Sequence, residues 1–341
     1  MALKLFKILL QRFHTPSRKQ KMAGFTVLEL LMATLIATFV LIVLMDFIID
    51  LLQTDRREYA RNETQREMQM ALDYIVNDLR EAAYVYDQPG VEAIKTYLPS
   101  NFAVKKFEPI LAFWKPETIP DSDLSSLNCN GFVQPQQSQC NLLKIKRRAY
   151  SLVVYLLVRN DENNTVTNGV PKWKGMSRIL RYQLNKYQNI ANLQQSVGYV
   201  DPSENTVSFQ TWPLNSNGIS LQTSLPSDQN RPVLVDFVDF PYTPRPDGLA
   251  DPDNTNCPDT TNYSRIPPEN HRFNNPSFMV CVSKSTVNLG TGTGTNTSST
   301  NQDVLIFLRG NPTGKAGVKV APLLAVKTQA VARGVIDKRP Q

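Results

Sequence analysis

Histidine is nearly missing from this chain: there are two in 341 residues, His14 and His271. His14 falls in a basic N-terminal stretch and His271 in a polar loop, so His271 reads as a surface residue. A catalytic histidine needs a nucleophile and an orienting partner, and neither is signalled nearby. GxSxG, P-loop and HExxH patterns are also missing. The sequence therefore does not read as an enzyme, and it implies no cofactor. No cysteine pair has the CxxC spacing of a zinc or thioredoxin site. No internal repeat is evident, and no A-x-A pattern follows the apolar run that ends at Met45, where an ordinary secretory signal would be cut.

Acidic residues are missing from the first 24 positions, where Lys4, Lys7, Arg12, Arg18, Lys19 and Lys21 supply six of the formal +7. Everything after Gly24 then carries only +1. A nucleic-acid binder keeps its basic patch on the folded body, so that class is disfavoured. Apolar residues make up 41% of the chain, enough for a real core. The mean hydropathy of −0.29 argues against several membrane spans.

One long apolar run is present. Phe25 to Met45 is 21 residues with Glu29 as its single charge. At about 1.5 Å per residue this makes a helix of about 30 Å, the thickness of a bilayer core. Basic residues precede it, and Asp46, Asp50 and Asp55 follow. The positive-inside rule places residues 1–24 in the cytoplasm and the body outside. A carboxylate in hydrocarbon costs up to about 3 kcal/mol, so Glu29 calls for a cationic partner or a place near the headgroups.

Gly24-Phe25-Thr26-Val27-Leu28-Glu29, between a basic leader and an apolar span, resembles the processing site of type IV pilins and type II secretion pseudopilins. The resemblance implies that a prepilin peptidase cuts between Gly24 and Phe25 and that Phe25 becomes the N-methylated first residue. Glu29 is then the fifth mature residue, where the family's glutamate neutralises the amino terminus of a neighbouring subunit or meets the peptidase. At this level the likeness covers about the first 55 residues.

From Asp55 to Ala83 the pattern is helical, with Met68, Leu72, Ile75, Leu79 and Ala82 on one apolar stripe. Arg66, Glu67, Asp73, Asn77, Asp78, Arg80 and Glu81 are expected on an opposite, solvated face. Pro89-Gly90 is expected to end the helical region. Strand-like segments follow at Ile110–Trp114, Ser151–Val158, Arg178–Tyr187, Val233–Tyr242, Ser277–Val282, Asp303–Arg309 and Ala325–Val335. In Arg178–Tyr187, Ile179, Arg181, Gln183 and Asn185 alternate with Leu180, Tyr182 and Leu184. Residues 243–276 and 285–302 read as flexible loops by composition.

The expected fold class is α+β and pilin-like. A long N-terminal helix, with a transmembrane half and an amphipathic half, packs on an antiparallel β-sheet body. The domain plan is a cleaved leader at 1–24, a transmembrane or filament-core helix at 25–52, an amphipathic helix at 53–86 and a periplasmic body at 87–341. Asp73-Tyr74-Ile75-Val76-Asn77-Asp78-Leu79-Arg80-Glu81-Ala82 is similar to the ALxxIxxDLRxA stretch of larger minor pseudopilins, the J-like or W-like class. Val304 to Asn311 and Ala332 to Pro340 resemble a cyanobacterial branch linked to hormogonium polysaccharide secretion. The resemblance implies a minor, structural subunit of a secretion filament, serving polysaccharide export linked to gliding. Its partners would be the prepilin peptidase, sibling pseudopilins, an assembly ATPase, an inner-membrane platform protein and the membrane itself through residues 25–45. A minor pilin of a true type IV pilus, a membrane-anchored enzyme and a glycan-binding module are the competing readings.

Cys129, Cys140, Cys257 and Cys281 all lie beyond the apolar run. An even count there suggests two local disulfides in an oxidising compartment, with a crossed pairing left open by the sequence. Asp247, Asp251 and Asp253 offer oxygen ligands of the kind calcium takes, and some pseudopilins bind calcium in loops. Pro252 interrupts the run and no EF-hand spacing is present, so an ordinary polar loop is favoured. Trp114, Trp173 and Trp212 read as core or rim residues rather than a sugar-stacking platform.

Overall fold

The computed structural model describes residues 24, 26–103, 106–160, 172–203, 207–229, 231–240, 256–269, 276–284 and 302–332. One helix, α1, runs Val27–Arg80. The chain divides into two compact units, residues 1–54 and 55–341, at a point within this helix. In the first unit every large apolar side chain from Val27 to Leu52 is between 47% and 85% exposed. The segment has the length and composition of a membrane span, and this is consistent with a single-pass membrane anchor.

The second unit is a mixed α+β body built on an antiparallel sheet. Its strands are β1 Tyr84–Val85, β2 Phe107–Thr118, β3 Arg148–Arg159, β4 Ser177–Leu184, β7 Val233–Val238, β8 Tyr263–Ile266, β9 Phe278–Ser283, β10 Gln302–Gly310 and β11 Leu324–Ala332. The order is β1-β2-β3-β4-β7-β10-β9-β8, with β11 on the remaining edge of β10. A separate two-stranded ribbon joins β5 Tyr187–Asn189 to β6 Gln194–Gln195. The expected stripe of α1 is fully used: Met68, Leu72, Ile75 and Leu79 are buried in the main core. Each such side chain contributes about 1.5–3 kcal/mol when removed from water.

The long strands β2 and β3 are apolar on both faces because both faces are covered. Residues Phe113, Lys115, Tyr155 and Arg181 share the face met by α1, as the register Leu111↔Tyr155, Lys115↔Ser151 and Tyr155↔Arg181 requires. On the other face Trp114 makes edge contacts with Tyr199, Phe209 and Trp212. Trp114 and Trp212 are core residues. Trp173 is half-buried, with the Arg178 guanidinium 5.8 Å from its ring centre.

Three local expectations change. The helix stops at Arg80 rather than near Ala83, because the Ala83 N–H is taken by the Trp114 carbonyl at 2.7 Å and the chain enters the sheet at β1. Pro89-Gly90 does not break a helix but begins one, α2 Gln88–Ile94, in whose first turn a proline costs no hydrogen bond. Asp87 caps it by accepting from the Gly90 N–H at 3.0 Å. A Cβ on Gly90 would meet the Tyr86 ring at 2.9 Å, so glycine is required by close approach. Finally, residues 256–269, inside the expected loop 243–276, include a sheet strand: β8 pairs with β9, and Cys257 anchors its approach.

Candidate functional site

Two carboxylates on α1 hold very different positions. Glu29 is the third residue of the helix and is exposed. Thr26 caps it: the Glu29 N–H donates to Thr26 Oγ1 at 3.3 Å, and the Leu30 N–H donates to the Thr26 carbonyl at 3.1 Å. Thr26-Val27-Leu28-Glu29 thus has capping-box spacing, and the acid sits at the positive end of the helix dipole. Further along, the hydroxyls of Thr34 and Thr38 donate to the carbonyls of Leu31 and Thr34 at 2.9 and 2.7 Å. Their polarity is absorbed by the backbone, so the surface of this segment stays apolar. Gly24 is exposed, with nothing within 4 Å of a Cβ added to it. Phe25 and residues 1–23 of the leader lie outside the described residues.

Asp78 departs from expectation. It is not on a solvated face but buried, 7% exposed, against the sheet. Lys115 Nζ lies 2.9 Å from Asp78 Oδ1. Tyr155 O–H and Arg181 Nε both donate to Asp78 Oδ2, each at 2.7 Å. Lys115 also reaches Glu81 at 3.2 Å, and Arg181 continues to Gln183 Oε1 at 2.6 Å. The Arg181 guanidinium stacks over Tyr74 at 5.8 Å. Burial pushes the Asp78 carboxyl up, but the hydrogen bonds from Arg181, Tyr155 and Lys115, with the Arg181 charge, outweigh it. The group is held below the ordinary carboxylate value and stays ionised. Tyr155 is driven far up, first by burial and then by the Asp78 charge, so it remains a donor.

A helical row explains why Asp78 is inside. Ala60, Thr64, Met68, Ala71, Ile75 and Asp78 follow one another at steps of three and four, and all six are buried. Asp78 occupies the next core position after Ile75. The row was readable; the charge of its last member concealed it.

Other polar ties hold the body together. Lys315 meets Glu67 at 2.6 Å. Where β7 and β10 meet, Arg309 Nε donates to Asp239 Oδ2 at 2.8 Å and Asn311 Nδ2 donates to Asp239 Oδ1 at 3.1 Å. The cysteines pair locally, Cys129–Cys140 and Cys257–Cys281, which closes the question of a crossed arrangement. The first bridge joins a turn at Cys129–Gly131 to helix α4, Gln136–Lys146, with a short helix α3, Asp121–Ser126, before it. Leu124, Leu127 and Leu143 pack around it. Asp247, Asp251, Asp253 and His271 lie outside the described residues. Among the described residues no cluster of acids, histidines and cysteines could hold a metal ion. Comparison with protein-family models, with curated proteins and with solved structures finds no match for this chain.

Proposed function

We propose that this chain is a structural subunit of a type IV pilin-like filament, of the minor pseudopilin class. The observation that carries the reading is the division of α1. Its first half has every large apolar side chain exposed and one carboxylate in the opening turn. Its second half buries one face against a sheet and ends in the Asp78 lock. An apolar surface that size has no place in water, and lipid or other helices must cover it.

In this reading a prepilin peptidase removes the leader after Gly24 and methylates Phe25. The new cationic amine pairs with Glu29 of a neighbouring subunit, which makes a carboxylate tolerable away from water. The apolar half first anchors the subunit in the inner membrane. It then passes into the filament core as an assembly ATPase and a platform protein drive extraction. Asp78, Lys115 and Arg181 hold the helix to the body while it is pulled. The work is assembly with sibling subunits, and no reaction is assigned to this chain. Polysaccharide export is the cargo we favour, from the likeness at residues 304–311 and 332–340. A deletion strain should lose export while keeping its pili; lost pili with normal export would instead favour a true type IV pilus.

The decisive measurement is N-terminal mass spectrometry of the mature protein. N-methyl-Phe25 is expected, together with accumulation of uncut precursor in Gly24→Ala. An intact N-terminal leader on the mature wild-type protein would overturn the reading.

A further inference from the structure

Among the described residues the sheet has three ends, and they are unequal. β1 is two residues long, and β8 is four, with Pro267 directly after it. β11 is nine residues long and pairs with β10 through nine consecutive partners without a bulge. Its second edge has no partner strand among the described residues. Such an edge presents a row of backbone donors and acceptors, which proteins usually blunt with proline, bulges, several charges or short length. β11 has none of these beyond Lys327, its one charge. It is also longer than the usual five or six residues.

We propose that β11 is a self-docking edge, on which a second copy of this chain adds its own β11 antiparallel, centred on Thr328. This is the register that uses all nine residues of both strands. It sets Leu324 against Ala332, Ala325 against Val331, Val326 against Ala330 and Lys327 against Gln329. Leu324, Val326, Thr328, Ala330 and Ala332 are buried or half-buried, whereas Ala325, Lys327, Gln329 and Val331 are exposed. The period of two therefore matches the inner face to the inner face and the outer to the outer. Each lysine meets a neutral amide, and a threonine pair sits on the axis, a favourable cross-strand combination. Centring on Lys327 instead would oppose the two lysines. The contact is isologous, so it closes as a dimer and continues the sheet from one copy into the next.

The test uses the full chain in detergent micelles. All four native cysteines are bridged, so one introduced thiol is unique. Thr328→Cys should give a covalent dimer with a short bis-maleimide. Val326→Cys should not, because its copies lie about 13 Å apart in this register. Gln329 is exposed, so changing it leaves the fold intact. Gln329→Glu places an acid opposite each Lys327, and Gln329→Lys places a lysine there. Two such pairs should tighten and weaken the dimer respectively by roughly 2- to 30-fold in Kd at low salt, read by sedimentation. A monomer at every concentration, or cross-linking only to a different protein, overturns the proposal. So do equal cross-linking at 326 and dimers indifferent to the charge at 329, which would arise through the apolar half of α1.

Discussion

The two halves of α1 share a backbone and little else. Residues 30–45 are apolar around the whole circumference, and every large apolar side chain from Val27 to Leu52 is exposed. Residues 55–80 carry charges on one side and bury the other, from Ala60 to Leu79. The halves also treat a carboxylate differently. Glu29 stands at a helix start, with its own amide capped and its side chain exposed. Asp78 stands near the helix end, surrounded by two cations and a phenol. In the proposed filament Glu29 takes its partner from another subunit, whereas Asp78 is neutralised from within its own chain.

The sharpest way to break this contrast is Asp78→Ala. It leaves Lys115 and Arg181 facing each other with side chains only 11% exposed. The body should lose about 3–5 kcal/mol, the cost of breaking a buried pair from one side. Thermal unfolding followed by near-ultraviolet circular dichroism reads this directly. A loss below about 1 kcal/mol would return Asp78 to the class of surface pairs.

Acid titration comes next in size. The Asp78 carboxyl is held below its ordinary 3.8, as burial is outweighed by Arg181, Tyr155 and Lys115. Asp201 is lowered too, burial being outweighed by the Lys186 charge and hydrogen bonds from Lys186 and Ser203. Groups depressed on folding contribute stability above the unfolded value and lose it as pH falls through the folded one. Stability should hold above about pH 4 and fall progressively below it. Asp78→Asn should flatten that acid limb while lowering the neutral plateau. An unchanged limb would remove Asp78 as a source of acid lability.

The smallest effect on the body belongs to Glu29→Ala. The side chain is exposed and lies in the other compact unit from the sheet, so the melting temperature should stay within error. Incorporation into filaments, scored by shearing and immunoblotting, should nevertheless drop sharply while leader cleavage continues. Equal incorporation would detach Glu29 from assembly.

Much of this architecture was legible in order of residues. The strands β2, β3, β4, β9, β10 and β11 stand within a few residues of the runs that announced them. The stripe from Met68 to Leu79 packs as its spacing indicates. Strand β8 was hidden inside proline- and asparagine-rich sequence, because a four-residue edge strand carries too few alternations to register as a pattern. Helix α4 escaped for a related reason: its Gln-rich opening lacks periodic apolar residues, and its disulfide and Leu143 supply the packing. Asp78 was misplaced on the solvated face because a charge outvotes position when the core side of a helix is inferred from residue type.

By itself the sequence determined the apolar span, its lone acid, the amphipathic row and the set of strands. These are local properties, written in spacings of two, three and four residues along the chain. Tertiary structure alone decided the order of the sheet, the edge of β11 that has no partner strand among the described residues, and the environment of Asp78. The partners of that carboxylate lie 37, 77 and 103 positions away along the chain. A buried charge is stable only where such distant groups converge, and no local period encodes that convergence.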